Sequence, residues 1–267
     1  MQNNIFSLLT PQMQVFLVII SGLVMGSFTS LFTYRLANKQ PMVFTRSKCI
    51  NCNTILKAIN LIPIFSWLIQ RGKCKNCHAK ISCRYPLIEL CFLGLFLLVY
   101  FVLNKEINSK MFLYLAITTM LLAMIIIDLE HYFIPDVMQY VLAFLVGLLV
   151  VFNSENFSLI NALGNGIVYV LFAGALWLFF YFGAGIEAIG VDDLKFFFIA
   201  GILLSLKNFI SFMMIAGIIG VVFGLSWQKI KKDETFPFAP AMCLSTFICM
   251  LFGEKIKISQ WIGNLIF

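Results

Sequence analysis

Charged and turn-forming residues cut this chain into eight long apolar stretches, at about 13–34, 86–104, 111–127, 137–152, 159–182, 196–206, 209–227 and 236–252. A run of about 20 apolar residues is what a helix needs to cross a bilayer core roughly 30 Å thick. The pattern therefore predicts an all-α polytopic membrane protein of about eight transmembrane helices. The sixth stretch is short, and Lys207-Asn208 marks its boundary with the seventh. Nothing basic precedes the first stretch and its apolar run exceeds that of a secretion signal, so it reads as a retained span. No internal repeat of 20 to 50 residues is visible.

Composition supports a membrane as the solvent. Of 267 residues, 61% are hydrophobic and only 12% charged, against roughly 45–50% and about 25% in soluble domains. Too little polar surface remains to cover a water-soluble globule. The 29 Phe and a mean hydropathy of +0.96 equally exclude a disordered chain, which is poor in hydrophobes and rich in charge.

Orientation follows from the basic residues, which are retained on the cytoplasmic side. With the amino terminus outside, the polar loop at 35–84 and the turns near Asp128, Asp193 and Lys229 share one face and carry 14 of the 19 Lys and Arg. The opposite face holds Lys105, Lys110, Lys207, Lys255 and Lys257. This asymmetry sets orientation and attracts anionic membrane lipids; it does not call for nucleic acid as a partner.

The loop at 35–84 has ten basic residues, no acid, and two CxxC pairs, Cys49-Ile50-Asn51-Cys52 and Cys74-Lys75-Asn76-Cys77, 21 residues apart. Two such hairpins can present four thiolates to a tetrahedral zinc ion. Two disulfides are the competing reading, disfavoured on a reducing cytoplasmic face. Four thiolates would leave no open position for water, so the Zn2+ would be structural, folding a loop with almost no core of its own. His78, next to Cys77, is the alternative ligand. Cys83, Cys91, Cys243 and Cys249 lack the spacing and read as small hydrophobes.

Among only 12 acids, two stand at cytoplasmic ends of spans. Asp128 closes Ile125-Ile126-Ile127-Asp128, and Asp193 stands in Gly190-Val191-Asp192-Asp193-Leu194-Lys195 at the mouth of the sixth stretch. Carboxylates there are costly enough that function competes with a helix cap or an ion pair. Two held close share a proton, so one can deprotonate a water while the other donates to a peptide carbonyl, the chemistry of aspartic proteases. Asp136, after Pro135, reads as an N-cap of the fourth span. Glu130 and His131 read as exposed turn residues. Neither HExxH nor GxSxG occurs. Lys195 either orients Asp193 or snorkels to the interface, the latter being preferred. Gly22 and Gly26 read as helix-packing positions.

These residues resemble a known family across nearly the whole chain, the bacterial prepilin peptidases, inner-membrane aspartic proteases of type IV pilus and type II secretion systems. Gly26-Ser27-Phe28 with Tyr34-Arg35-Leu36 is similar to its GSF…YRL signature, and the Cys49 to Cys77 loop to its four-cysteine domain. Ile62-Pro63 through Arg71-Gly72 is similar to IPxxSxLxxRG, and Ile81-Ser82 through Glu89 to ISxRYPxxE. Asp128 with Pro135-Asp136 resembles the D…PD block, Glu187-Ala188 through Lys195 the EAxGxGDxK block, and Phe236-Pro237 through Pro240 a PFxP turn. One departure stands out: Asp192 occupies the place of the second glycine of GxGD, where a backbone conformation favouring glycine could be lost.

The resemblance implies catalytic roles for Asp128 and Asp193, a first helix at 1–34, a cytoplasmic four-cysteine domain at 35–84 and a membrane peptidase domain at 85–267. It implies type IV prepilins and pseudopilins as substrates, cut after a glycine at the cytoplasmic face of the inner membrane. Methylation of the new amino terminus from S-adenosylmethionine rests on the resemblance alone; no glycine-rich nucleotide turn is visible. The rival readings are a transporter relaying ions through mid-span acids and a non-catalytic scaffold that recruits through its zinc loop.

Overall fold

The computed structural model describes residues 9–41, 46–103, 105, 107–152, 158–185, 190–231 and 236–253. Glu187 and Ala188 of the EAxGxGDxK block, Lys232, Lys255 and Lys257 lie outside them. Among the described residues the fold is helical, with two isolated β-bridges and no strand. The chain divides into two compact units, residues 1–115 and 116–267.

The first unit is built on α1 (Pro11–Ala37) and α3 (Arg84–Val102), with the four-cysteine loop and the short α2 (Phe65–Ile69) between them. Thr10 caps α1 by accepting from the Met13 N–H, and Pro11 occupies a first-turn position where its missing N–H costs nothing. Glycines set how closely the two long helices approach. A Cβ on Gly26 would lie 2.8 Å from the Glu89 Cα, and one on Gly22 3.1 Å from the Leu93 Cα. The helix-packing reading of this pair is thus met by backbone-to-backbone contact. Arg84 completes the seam, donating to the Ser30 carbonyl at 3.2 Å, the Ser30 hydroxyl at 3.0 Å and the Thr33 hydroxyl at 3.0 Å.

The second unit takes in most of α4 (Ser109–His131), then α5 (Asp136–Phe152), α6 (Leu159–Ala184), α7 (Val191–Leu204), α8 (Phe209–Lys231) and α9 (Ala239–Phe252). Here α6 meets α7 through glycines again, a Cβ on Gly201 falling 2.8 Å from the Gly166 Cα. Between α7 and α8, Ser205 takes a positive φ of 60° and a 3-10 turn (Leu206–Asn208) follows, so the break falls where the sequence places it. Gly220 and Gly224 of α8 lie under Phe238 and Phe236, which seats the segment that opens α9.

The eight long helices coincide with the eight apolar stretches, but five of them, α1, α3, α4, α6 and α8, are long and apolar enough to cross a membrane. The expectation of eight full spans is narrowed accordingly. With 14 residues each, α7 and α9 rise only about 21 Å, short of the roughly 30 Å core. Their carboxyl ends, at Leu204 and Phe252, fall within two residues of the ends of the apolar stretches, but their amino ends differ: α7 begins five residues before its stretch and α9 three residues after its own. The outer face of α1 leaves Phe16, Ile20, Val24 and Phe28 exposed, a stripe that water would not tolerate and lipid does. The protein is a multi-pass membrane protein.

Gly26→Ala should lower stability by about 1–3 kcal/mol through overpacking, read as a fall in the thermal unfolding midpoint in detergent. Gly94→Ala, on the same seam-forming α3 but with nothing within 4 Å of its added Cβ, should leave the midpoint unchanged.

Candidate active site and thiol cluster

Each CxxC pair folds as a hairpin of the same design. The bridge Lys48↔Ile55 closes the first and Lys73↔Lys80 the second. Within them the Cys49 and Cys74 N–H groups donate to the carbonyls of Thr54 and Ala79, and the Asn53 and His78 N–H groups return to the carbonyls of Cys49 and Cys74. Asn53 and His78 each take a positive φ, 55° and 56°, so His78 is the turn residue equivalent to Asn53. The thiols of Cys49, Cys52, Cys74 and Cys77 come together with every sulfur within 4.8 Å of the others; His78 is not among them.

A tetrahedral ion at about 2.3 Å from sulfur needs ligand edges of about 3.8 Å, and Cys49 Sγ stands 3.8 Å from Cys77 Sγ. All eight cysteines are free thiols. The four therefore could hold a metal. The donor set is also supported from outside: Asn51 Nδ2 donates across to Cys77 Sγ and Asn76 Nδ2 to Cys52 Sγ, at 3.8 and 3.7 Å. These are outer partners of the kind that fix metal-ligand geometry. Hydrogen bonds from Thr54 and Asn76 hold the Cys52 thiol down at about 6, and backbone N–H groups of Cys77 and Asn76 lower that of Cys74, so both favour thiolate. Of the remaining cysteines, Cys243 and Cys249 are buried while Cys83 and Cys91 are exposed.

In the second unit, Asp128 lies in the last turn of α4, buried at 6% exposure. Its Oδ2 accepts from the Ala239 N–H at 2.8 Å, at the first residue of α9, so the positive end of that helix faces it. Asp193 stands in the first turn of α7 and its Oδ2 accepts from the Gly190 N–H at 3.0 Å. The two carboxylates act on each other electrostatically, and both act on the thiol of Cys243, one turn into α9. Two acids 65 positions apart in the chain thus belong to one site. What sequence reasoning missed is the Ala239 N–H. The Pro237 and Pro240 flanking it marked a turn without revealing which acid the turn serves.

The neighbouring charges form a separate arrangement. Lys195 Nζ pairs with Asp136 Oδ1 at 2.6 Å and Asp192 Oδ1 at 3.0 Å, so it neither orients Asp193 nor merely snorkels. Asp136 is the first residue of α5 rather than a cap preceding it. Glu130 and His131 are exposed, as expected, but belong to the last turn of α4. Asp192 lies inside α7, so the position where GxGD has glycine is helical and asks for no left-handed backbone. Gln139 Nε2 donates to the Asp192 carbonyl at 3.1 Å, tying α5 to the start of α7.

Comparison with known proteins places these features. The family described as "Bacterial Peptidase A24 N-terminal domain" matches residues 20–103, and the "Type IV leader peptidase family" matches residues 115–225. A "Prepilin leader peptidase/N-methyltransferase" of Stutzerimonas stutzeri is 30% identical over 218 residues, covering 80% of this chain and 74% of that protein. One of Legionella pneumophila is 31% identical, covering 84% and 78%, and one of Bacillus subtilis 28%, covering 90% and 95%. No solved structure matches.

The full chain should bind roughly one metal ion, as a site of four thiolates requires. Cys49→Ser with Cys74→Ser should abolish that content by elemental analysis. His78→Asn, which copies the residue at the equivalent turn of the first hairpin, should retain it.

Proposed function

We propose that this chain, which belongs to the type IV leader peptidase family, cleaves the leader from type IV prepilins and pseudopilins after a glycine, with Asp128 and Asp193 as its two acids. The observation that carries the reading is that these two carboxylates, on separate apolar helices, each have one oxygen tied to a backbone N–H at the start of a helix. The held Oδ2 atoms fix both groups, leaving Oδ1 of each for water and substrate. One carboxylate takes a proton from a water whose oxygen attacks the scissile carbonyl carbon. The other, protonated, donates to the carbonyl oxygen as the tetrahedral centre forms. Collapse breaks the C–N bond, and the proton first taken from water goes to the leaving nitrogen. Both acids lie at helix ends, which suits a junction presented at the membrane surface and does not suit an ion path through mid-span.

The site faces the cytoplasm in this reading, by the basic-residue count, and the membrane is the bacterial inner membrane. Zn2+ is the ion for the four thiols, where Cys49, Cys52, Cys74 and Cys77 hold it and it supplies folding stability rather than reactivity. The relatives' names carry a second activity, and we extend it to this chain: methylation of the new amino terminus, with S-adenosylmethionine as donor. Nothing among the described residues forms a strand, turn and helix that would cradle a nucleotide, so this half rests on kinship.

Purified chain incubated with a prepilin should release the leader, followed by gel shift. Asp128→Asn and Asp193→Asn should each reduce the rate by about 10²–10⁴, the usual worth of a positioned acid or base. Asp192→Asn should retain most of it, since that side chain serves Lys195. Normal cleavage by either of the first pair would refute the assignment.

A further inference from the structure

The turn and short helix between the two CxxC hairpins carry a row of apolar side chains that are exposed among the described residues. Phe65, Leu68 and Ile69 share one face of α2 and are 59%, 57% and 81% exposed, and Ile59 of the preceding 3-10 turn (Ala58–Leu61) is 68% exposed. Ile59 and Ile69 line a cleft of about 440 Å³ that Arg71, Lys73, Lys75 and His78 also line. Exposed apolar side chains and cations thus occur in one place, the composition of an interfacial membrane anchor.

The depth of this segment is set by a hydrogen bond. Ile64, at a positive φ of 60° just before α2, donates its N–H to Glu89 Oε2 at 2.7 Å. Glu89 is buried and stands five residues into α3, about 7.5 Å along the axis from its first residue. A left-handed β-branched residue is strained, and this one is retained where a buried carboxylate takes its N–H. The bond ties the segment that bears the apolar row to the opening turns of α3, a helix long and apolar enough to span a membrane.

We propose that this face docks onto an anionic phospholipid leaflet, with lipid phosphates between Arg71, Lys73 and Lys75 and acyl chains against Ile59, Phe65, Leu68 and Ile69. Charge selects the occupant. Residues 35–84 contain no Asp or Glu, so a second copy of the same face would bring like charges together, whereas an anionic leaflet is complementary. The loop is tethered at both ends to spanning helices, so docking needs no encounter from solution.

Hydrogen exchange of amides 59–75 in the full chain tests this, compared between nanodiscs of phosphatidylcholine and nanodiscs containing phosphatidylglycerol. Exchange should be slower in the anionic discs and the difference should fall with added salt. Neutralising Lys73→Gln and Lys75→Gln should shrink the difference about fivefold each, the worth of roughly one cation near a charged leaflet. Ile69→Asn, outside both hairpins, should shrink it too, with unchanged metal content showing that the fold survives. Equal exchange in the two discs overturns the proposal, as does full protection by inorganic phosphate in neutral discs or full protection in the double lysine variant. The proposal does not rest on the peptidase reading: Asp128→Asn should show the same protection without cleaving prepilin.

Discussion

A carboxylate enclosed by apolar helices must receive from the protein the hydrogen-bond donors that water would otherwise supply. Asp128, Asp193 and Glu89 each accept from a backbone N–H group, of Ala239, Gly190 and Ile64. Backbone donors cannot rotate away, so each carboxylate oxygen is fixed by the path of a neighbouring segment. In the second unit that path depends on bulk. Phe236 and Phe238 lie over Gly224 and Gly220, and only with those rings seated does the chain turn at Ala239 with its N–H aimed at Asp128. A buried carboxylate oxygen thus meets a backbone N–H whose segment is seated against two glycines on another helix.

Glycine has the same role wherever two helices meet closely. Gly22 and Gly26 admit α3, and Gly166 and Gly201 let α6 and α7 touch backbone to backbone. Lipid offers no hydrophobic drive for helices to associate, so dispersion at close range and buried polar contacts must hold them. The Arg84 bonds to Ser30 and Thr33 are of the second kind. Blocks of the first unit that carry the family resemblance thus have structural duties: Gly26 gives way to Glu89, Glu89 holds Ile64, and Arg84 ties α3 to α1.

The acids of the second unit divide by environment. Asp128 and Asp193 each accept from a backbone N–H at the start of a helix, whereas Asp136 and Asp192 share Lys195 at 38% to 52% exposure. An exposed triad of this kind contributes little stability, but it holds the first turns of α5 and α7 in register beside the Gln139 bond. The extra aspartate at 192 is accommodated because its charge is answered by Lys195 and its backbone is already helical.

Solvent preference is written in composition, so the membrane, the order of the apolar helices, the break near Lys207 and the four-thiol pattern could all be read from the chain alone. Asp128 and Asp193 were conspicuous too, as carboxylates beside apolar runs. Helix length was less legible: the apolar stretches were counted as spans, yet among the described residues α5, α7 and α9 are too short to count as full spans. Which acid pairs with which cation, and which backbone N–H reaches which carboxylate, was decided only in three dimensions. Lys195 lies two residues from Asp193 in the chain, yet helical geometry turns it to Asp192 and to Asp136, 59 residues away. Residue type sets what a side chain can do, and packing alone sets what it meets.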